Sequence, residues 1–588
     1  MADDAEAWFY AAQDAADVGR ARDAARLYER AIDACGTLHP IARDADLWPR
    51  AGPPSASARA ALIASVASNA LGELRLDEAL EAGFPSRAHD CEPLRAAVAR
   101  FEAALRAWPY NAPALCSLAQ ICRDSGRAEQ ALALLDRLLA LSTLDAAQDD
   151  ACSAWRAAWV FTPRRAAVAA GAMTAALVRS QRGEHAAATP ILRRFGLRLR
   201  LSPAVWAAAA APASHALPCP APRLTAGQAA VPPVRLFADA VPPALASTLC
   251  AAFAPGAAFW RQTGYHTASV EKRYFTFFYD VRAARPSNAV EALIAHLHPL
   301  LARDDVACAE WWAHTRPVGR HPGHELHYDL EEGVMEASGR VLHPLVSSVV
   351  YLSGSAKSGP TIVLDERLDA GQLARRCWLA HPRTRALLTF DGALLHGVLP
   401  VDGPVGDEHR LTLLVAWYGE DARRASSRRR SALRPQGAVP RVSRRTTWPL
   451  DIPLDMACGG EEELAQATAS ALPATTRELP IVEIDHPWEE VTMAPHGVAV
   501  HARPRRSALG ARAEAALEIP THLDQHFFLR SPDDVRERLW REHGLNGTWT
   551  MAGNARKTDR SRADTESECH RDAHAATTKR ARRGSPGA

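Results

Sequence analysis

Lysine is almost missing from this chain of 588 residues: Lys272, Lys357, Lys557 and Lys579 are the only ones among 69 basic side chains, and arginine supplies the rest. The 67 acidic residues leave a formal net charge of only +2. No field of one sign is therefore available to attract a nucleic acid or an anionic membrane, and neither is expected as a partner. The 11 cysteines, scattered from Cys35 to Cys569, contain no CxxC pair. That argues against a zinc ribbon and reads as reduced thiols rather than a disulfide framework. Cys116 and Cys122 fall on different faces of a helical segment and read as small core residues. Long apolar runs are also absent, since the longest candidate, Ala166 to Val178, is short and rich in alanine. The opening Met1-Ala2-Asp3-Asp4-Ala5-Glu6 is acidic and precedes no apolar core, so no secretory or transit segment is expected. The expectation is a soluble, intracellular protein, cytoplasmic or nuclear.

What is present is length enough for two or three structured units. Residues 1–215 read as helices. Ala97 and Ala131, Phe101 and Leu135, and Ala104 and Leu138 are each separated by 34 residues, with Pro and Gly between Trp48 and Ser57 interrupting the register. Small residues at such positions let paired helices approach, and this region resembles tetratricopeptide repeats. The alternative is an alanine-rich bundle that only shields the next domain. A proline- and alanine-rich passage from Pro203 to Pro233 places a linker at 216–233.

Residues 234–422 carry short segments of β-branched and aromatic residues: Tyr274 to Val281, His324 to Leu330, Val346 to Leu352, Thr361 to Leu364, Ala386 to Phe390 and Leu411 to Tyr418. A helix opening at the Asn288-x-x-Glu291 capping box interrupts them. The expected fold is α + β and multidomain: helical repeats, then a double-stranded β-helix or jelly roll. Residues 423–552 form an extension of unassigned role, with a strand-like Leu479 to Ile484 and a helix opened by Ser531-Pro532-Asp533-Asp534. Residues 553–588 are polar and expected to be disordered, their Lys579-Arg580-Ala581-Arg582-Arg583 cluster reading as a solvated tail before a nuclear address.

The chemistry concentrates in 327–412. In a strand, residues i and i+2 share a face, so His327 and Asp329 present an imidazole and a carboxylate together while Tyr328 points away. His396 offers a third ligand 67 residues beyond Asp329. Two histidines and one carboxylate on one face of Fe(II) leave the opposite face open for a bidentate 2-keto acid and dioxygen. Arg410 opens an apolar strand, and a buried guanidinium can grip a carboxylate with two parallel hydrogen bonds, Thr412 adding a hydroxyl on the same face. The other H-x-D sequences, His522-Leu523-Asp524 and His570-Arg571-Asp572, lack this context.

From Trp311 to Tyr418 the chain resembles the 2-oxoglutarate and Fe(II) oxygenases, within them the prolyl 4-hydroxylase-like branch. The likeness runs through His327-Tyr328-Asp329, Val350-Tyr351-Leu352-Ser353, Ser358-Gly359-Pro360-Thr361, Leu388-Thr389-Phe390, His396-Gly397-Val398-Leu399-Pro400-Val401 and Arg410-Leu411-Thr412. A usual Gly-Gly is Gly359-Pro360 here, and the stretch from Glu331 to Ser348 is longer than in compact members. The resemblance implies a dioxygenase that uses Fe(II), 2-oxoglutarate and O₂, with ascorbate as auxiliary reductant. It implies His327, Asp329 and His396 as ligands and Arg410, Thr412 and Tyr351 around the co-substrate. It also implies hydroxylation of a protein side chain, a prolyl residue first, with a protein or peptide substrate recruited by the helical repeats. A small-molecule hydroxylase and a repeat scaffold with a catalytically silent oxygenase fold are the alternatives.

Overall fold

The computed structural model describes residues 2–36, 56–81, 91–148, 158–211, 232–263, 276–424, 476–491, 527–542 and 550–551; within 276–424 it omits 283–285, 287, 318–322, 332–333, 336–337, 355–357 and 402–407. The expected linker at 216–233, the decoy His522 and His570 and the basic tail lie wholly or largely outside the described residues.

The first part of the chain is a succession of helices. These are α1 (Ala2–Asp17), α2 (Ala21–Ala34), α3 (Ala56–Glu81), α4 (Glu92–Ala107), α5 (Ala112–Asp124), α6 (Ala128–Gln148), α7 (Ala158–Gln181) and α8 (His185–Arg194). Each buries one stripe because apolar residues recur at helical spacing, as Leu94, Ala97, Phe101 and Ala104 do along α4. All six positions in the 34-residue register are buried. Asn111 caps α5 by accepting the Ala114 N–H at 3.0 Å, and its side-chain amide donates to Ser65 Oγ on α3 at 2.9 Å. The helical part does not end where proline and alanine become frequent: after a strand β1 (Leu199–Leu201), residues Pro203–Ala210 form α9 with Trp206 buried. Proline in the first turn is compatible with a helix start, so the passage beginning at Pro203 is structure before it is linker.

Two antiparallel sheets follow, giving a mixed α/β architecture. The larger, of seven strands, runs β13-β2-β10-β7-β12-β4-β3; the smaller, of five, runs β14-β9-β8-β11-β5. Their strands are β2 (Val234–Ala238), β3 (Phe277–Tyr279), β4 (Cys308–Pro317), β5 (His324–His327), β7 (Val346–Tyr351), β8 (Thr361–Arg367), β9 (Arg376–Ala380), β10 (Ala386–Phe390), β11 (Leu394–Val398), β12 (His409–Tyr418), β13 (Arg477–Leu479) and β14 (Val482–Asp485); β6 (Arg340–Val341) stands outside both. The sheets face each other across Val349, Tyr351, Val363, Trp378, Leu388 and Phe390. Alternate residues of the same strands point outward: Val350 and Leu387 pack under the helices α10 (Pro243–Ala252), α11 (Ala258–Thr263) and α12 (Ala289–Leu297), and Ile362 and Leu364 share an apolar cluster with Leu135, Leu138, Met173 and Trp206 of the helical part. Strands covered on both faces read as largely apolar runs, as β10 does, whereas β7 carries Ser347 and Ser348. The Asn288 cap of α12 accepts from Val290 N and Glu291 N, both at 3.0 Å.

The strand-like Leu479 to Ile484 is two strands, not one. Pro480, which has no N–H to give a ladder, separates β13 on the larger sheet from β14 on the smaller, so the chain crosses between sheets there. Then β15 (Trp488–Glu490) and β16 (Phe528–Leu529) flank β1 in a three-stranded sheet, and a helix α13 (Asp534–Glu542) follows. The described parts of 423–552 are therefore woven into both earlier units. Among the described residues no helix is long and apolar enough to cross a membrane.

Candidate metal centre

β5 is the edge strand of the smaller sheet and pairs with β11 so that His327 stands opposite His396. Cross-strand partners bring side chains together, and the two imidazole centroids are 4.3 Å apart. The strand ends at His327 rather than continuing through Asp329, yet the aspartate still returns to the histidine side. Its Oδ1 is 3.8 Å from His327 Nε2 and its Oδ2 3.6 Å from His396 Nε2. Tyr328 faces the other way, into the cluster shared with the helical part. One ligand atom from each of His327, Asp329 and His396 lies within 4.8 Å of the others.

The surroundings select the ligand atoms. A carbonyl oxygen only accepts, so His327 Nδ1 donates to Glu325 O at 2.9 Å and His396 Nδ1 to Leu394 O at 3.0 Å. Both Nε2 lone pairs are thereby turned towards the carboxylate. Burial, and then the neighbouring His396 ring, lower the pKa of His327 and keep it neutral as a metal ligand must be. Ser347 Oγ donates to Asp329 Oδ2 at 2.6 Å, and His343 Nδ1 donates to Asp329 O at 3.0 Å. Gly397 permits the close pairing next to His396: a Cβ there would lie 2.8 Å from His324 O and 2.9 Å from Glu325 O.

Beside these atoms opens a cavity of about 550 Å³, counted with its mouth and lined among others by His327, His396, Thr361, Arg410, Thr412 and Val349. Arg410 is buried and donates to Gly359 O at 2.5 Å and to Thr361 Oγ1 at 3.1 Å. Its pKa is drawn down to about 10, chiefly by burial and further by Arg316, so the guanidinium stays charged at neutral pH. Tyr351 is fully buried behind this wall; its hydroxyl meets Thr361 Oγ1 at 2.7 Å, and Arg410 lies 5.4 Å from its ring centroid. Thr361 rather than Tyr351 reaches the cavity surface.

Ser347, Arg316 and Arg538 belong to no motif legible in the sequence, and Thr361 closes the stretch Ser358-Gly359-Pro360-Thr361 without a site role following from it. Ser347, Thr361 and Arg538 act on residues outside their own elements. Arg538 of α13 donates to Leu326 O at 2.8 Å on the strand that carries His327, and it stands 3.4 Å from Glu325 Oε2.

No family model matches the chain, and no curated protein matches it. Among solved structures it has a weak similarity to a prolyl-4-hydroxylase of Pseudomonas putida: 19% identity, 32% of this chain and 84% of that chain covered, and a TM-score of 0.20.

Proposed function

We propose that this protein is an Fe(II)- and 2-oxoglutarate-dependent dioxygenase that hydroxylates a side chain of a protein substrate. The observation that carries the proposal is the convergence of His327, Asp329 and His396 beside a cavity whose wall includes His327, His396 and a buried guanidinium, Arg410. Two imidazoles and a carboxylate suit Fe(II) with positions left for a keto acid and O₂. When bound, the iron and 2-oxoglutarate supply the oxidising chemistry, in which R–H, O₂ and 2-oxoglutarate become R–OH, succinate and CO₂. The chain's residues hold and orient. Ser347 fixes the carboxylate, the Glu325 and Leu394 carbonyls fix the ring tautomers, and Arg410 with Thr412 and Thr361 receives the distal carboxylate, Tyr351 holding Thr361 in place.

In this reading the facing sheets are a double-stranded β-helix and the helices of 1–215 are tetratricopeptide-like repeats that recruit the polypeptide. The 34-residue period of buried positions supports the repeats. The test is succinate formation by purified protein with Fe(II), 2-oxoglutarate and O₂. Turnover is expected in the wild type and abolished in His396→Ala and Asp329→Ala. A wild type that forms no succinate and binds neither Mn(II) nor 2-oxoglutarate rejects the function.

A further inference from the structure

The inner face of the larger sheet presents its side chains in rows. Val349 on β7, Leu414 on β12 and Trp312 on β4 stand directly opposite one another, so they form one apolar row across three neighbouring strands. Residues two apart in a strand share a face. Ser347, which donates to Asp329 Oδ2, therefore flanks the row on one side, and Thr412, next on the way to Arg410, flanks it on the other. All three members of the row line the cavity. Val349 is buried, whereas Leu414 and Trp312 are half-buried, so the row opens towards β4.

Trp312 is the largest side chain among the described residues that line the cavity. It is also seated, because its ring packs against the cluster of Phe278, Cys308, Ala416, Tyr418 and Ala422. A ring held from one side and half-exposed keeps apolar area that a bound side chain can cover. None of the three row members carries a charge, so a charged side chain laid along them loses hydration and gains no ion pair. A cation is disfavoured further: no carboxylate is among the described residues lining the cavity, and buried Arg410 is positive. A methylated ammonium could stack on one indole, but the sites that select such ions surround them with rings, and here the other members are leucine and valine. The row suits C–H surface.

We infer that Trp312 determines which side chain is acted on: its ring face, with Leu414 beside it, receives an uncharged aliphatic side chain and holds a C–H of that chain next to the metal ligands. This rests on the dioxygenase reading above and narrows it, since lysyl, methyl-lysyl, acidic and amide side chains are then poor substrates.

The test uses the full chain loaded with Mn(II) and saturating 2-oxoglutarate, and blocked pentapeptides of glycine and alanine that carry one guest residue at the centre. The guests are valine, leucine and proline, with glutamine, glutamate, lysine and trimethyllysine for comparison. Mn(II) is paramagnetic, so broadening of the guest's side-chain proton signals reads how much of each peptide places that side chain beside the metal, with Zn(II)-loaded protein as the diamagnetic reference. The aliphatic guests are expected to be broadened about tenfold more strongly than the others, the order of difference that burying one apolar side chain makes. Trp312→Ala should erase the difference, and Trp312→Phe, which keeps an aromatic face, should retain it. Mn(II) and 2-oxoglutarate titrations on the same samples report whether the centre is intact, and the guest series on the wild type decides by itself where a variant does not fold. Equal broadening of all guests, broadening of none, or a Trp312→Ala protein that discriminates as the wild type does overturns the inference. Strongest broadening of trimethyllysine also overturns it, in favour of a cation held on the indole. A wild type that binds neither Mn(II) nor 2-oxoglutarate would reject the oxygenase reading, and this inference with it.

Discussion

Asp329 is steered by a hydroxyl, and this makes its role separable from its presence. Ser347→Ala keeps all three metal ligands but removes the hydrogen bond to Oδ2. Loss of such an orienting partner typically weakens metal affinity by about 10- to 100-fold, and a Mn(II) titration should show a drop of this order with unchanged melting temperature. Undiminished affinity would mean that the carboxylate is positioned by the backbone alone. Arg410→Gln probes the other end of the cavity: it should raise the KM for 2-oxoglutarate at least tenfold while sparing Mn(II) binding, since a charge-assisted pair is lost far from the ligands. Unchanged KM would show that another residue holds the distal carboxylate. His327, Asp329, His396 and Arg410 could be picked out from the sequence because their chemistry and local spacing are distinctive. Ser347 and Arg316 could not, and Thr361 only as a member of a family-like stretch, because what makes each of them matter is a partner outside its own strand.

At the scale of elements, the edge strand β5 owes its support to a helix more than 200 residues away in the chain. Arg538, buried on α13, takes the Leu326 carbonyl. In Arg538→Met that carbonyl loses its partner, at a cost of about 1–3 kcal/mol. Hydrogen exchange in 324–327 should quicken and metal affinity fall, although the substituted residue touches no ligand; unaltered exchange would count against the brace. On β8, Glu366 is 4% exposed and bonded to Ala374 N, and burial lifts its pKa to about 7. A carboxyl raised above its unfolded value carries no penalty in acid, where both states are protonated. It becomes destabilising as pH rises from the unfolded pKa towards 7, reaching at most about 3 kcal/mol. Glu366→Gln should therefore melt close to wild type at pH 4 and several degrees higher at pH 8. A stabilisation independent of pH would argue that the carboxyl is ionised against a partner rather than held neutral by burial.

Over the whole molecule, the helical part is a wall of the two-sheet unit as well as a string of helices. Leu135, Leu138, Met173 and Trp206 share one apolar cluster with Leu326, Ile362, Leu364 and Leu395, which lie on the strands around the metal ligands. β1 is also the central strand between β15 and β16. Deleting 1–215 would strip this cover and expose the outer face of the smaller sheet. The truncated chain is expected to be insoluble or to elute as aggregate on gel filtration, losing succinate formation with and without peptide alike. A soluble truncation that still turns over 2-oxoglutarate would show that the sheets stand alone. The helices α1 and α2 form a separate cluster with α3, so recruitment is better tested by substitutions on their exposed faces.

By itself the sequence determined what depends on neighbours along the chain. Helical spacing produced the stripe on α4 and Asn288 opened α12, whereas the period of two expected to set His327 and Asp329 against Tyr328 stops at His327, and the single strand expected from Leu479 to Ile484 is two. Only the tertiary structure decided which strands lie side by side. That choice placed His396 opposite His327, Arg316 opposite Arg410 and Arg538 under β5. The physical reason is that sheet order and register follow from apolar burial summed over surfaces distant in the chain, and no local pattern encodes that sum.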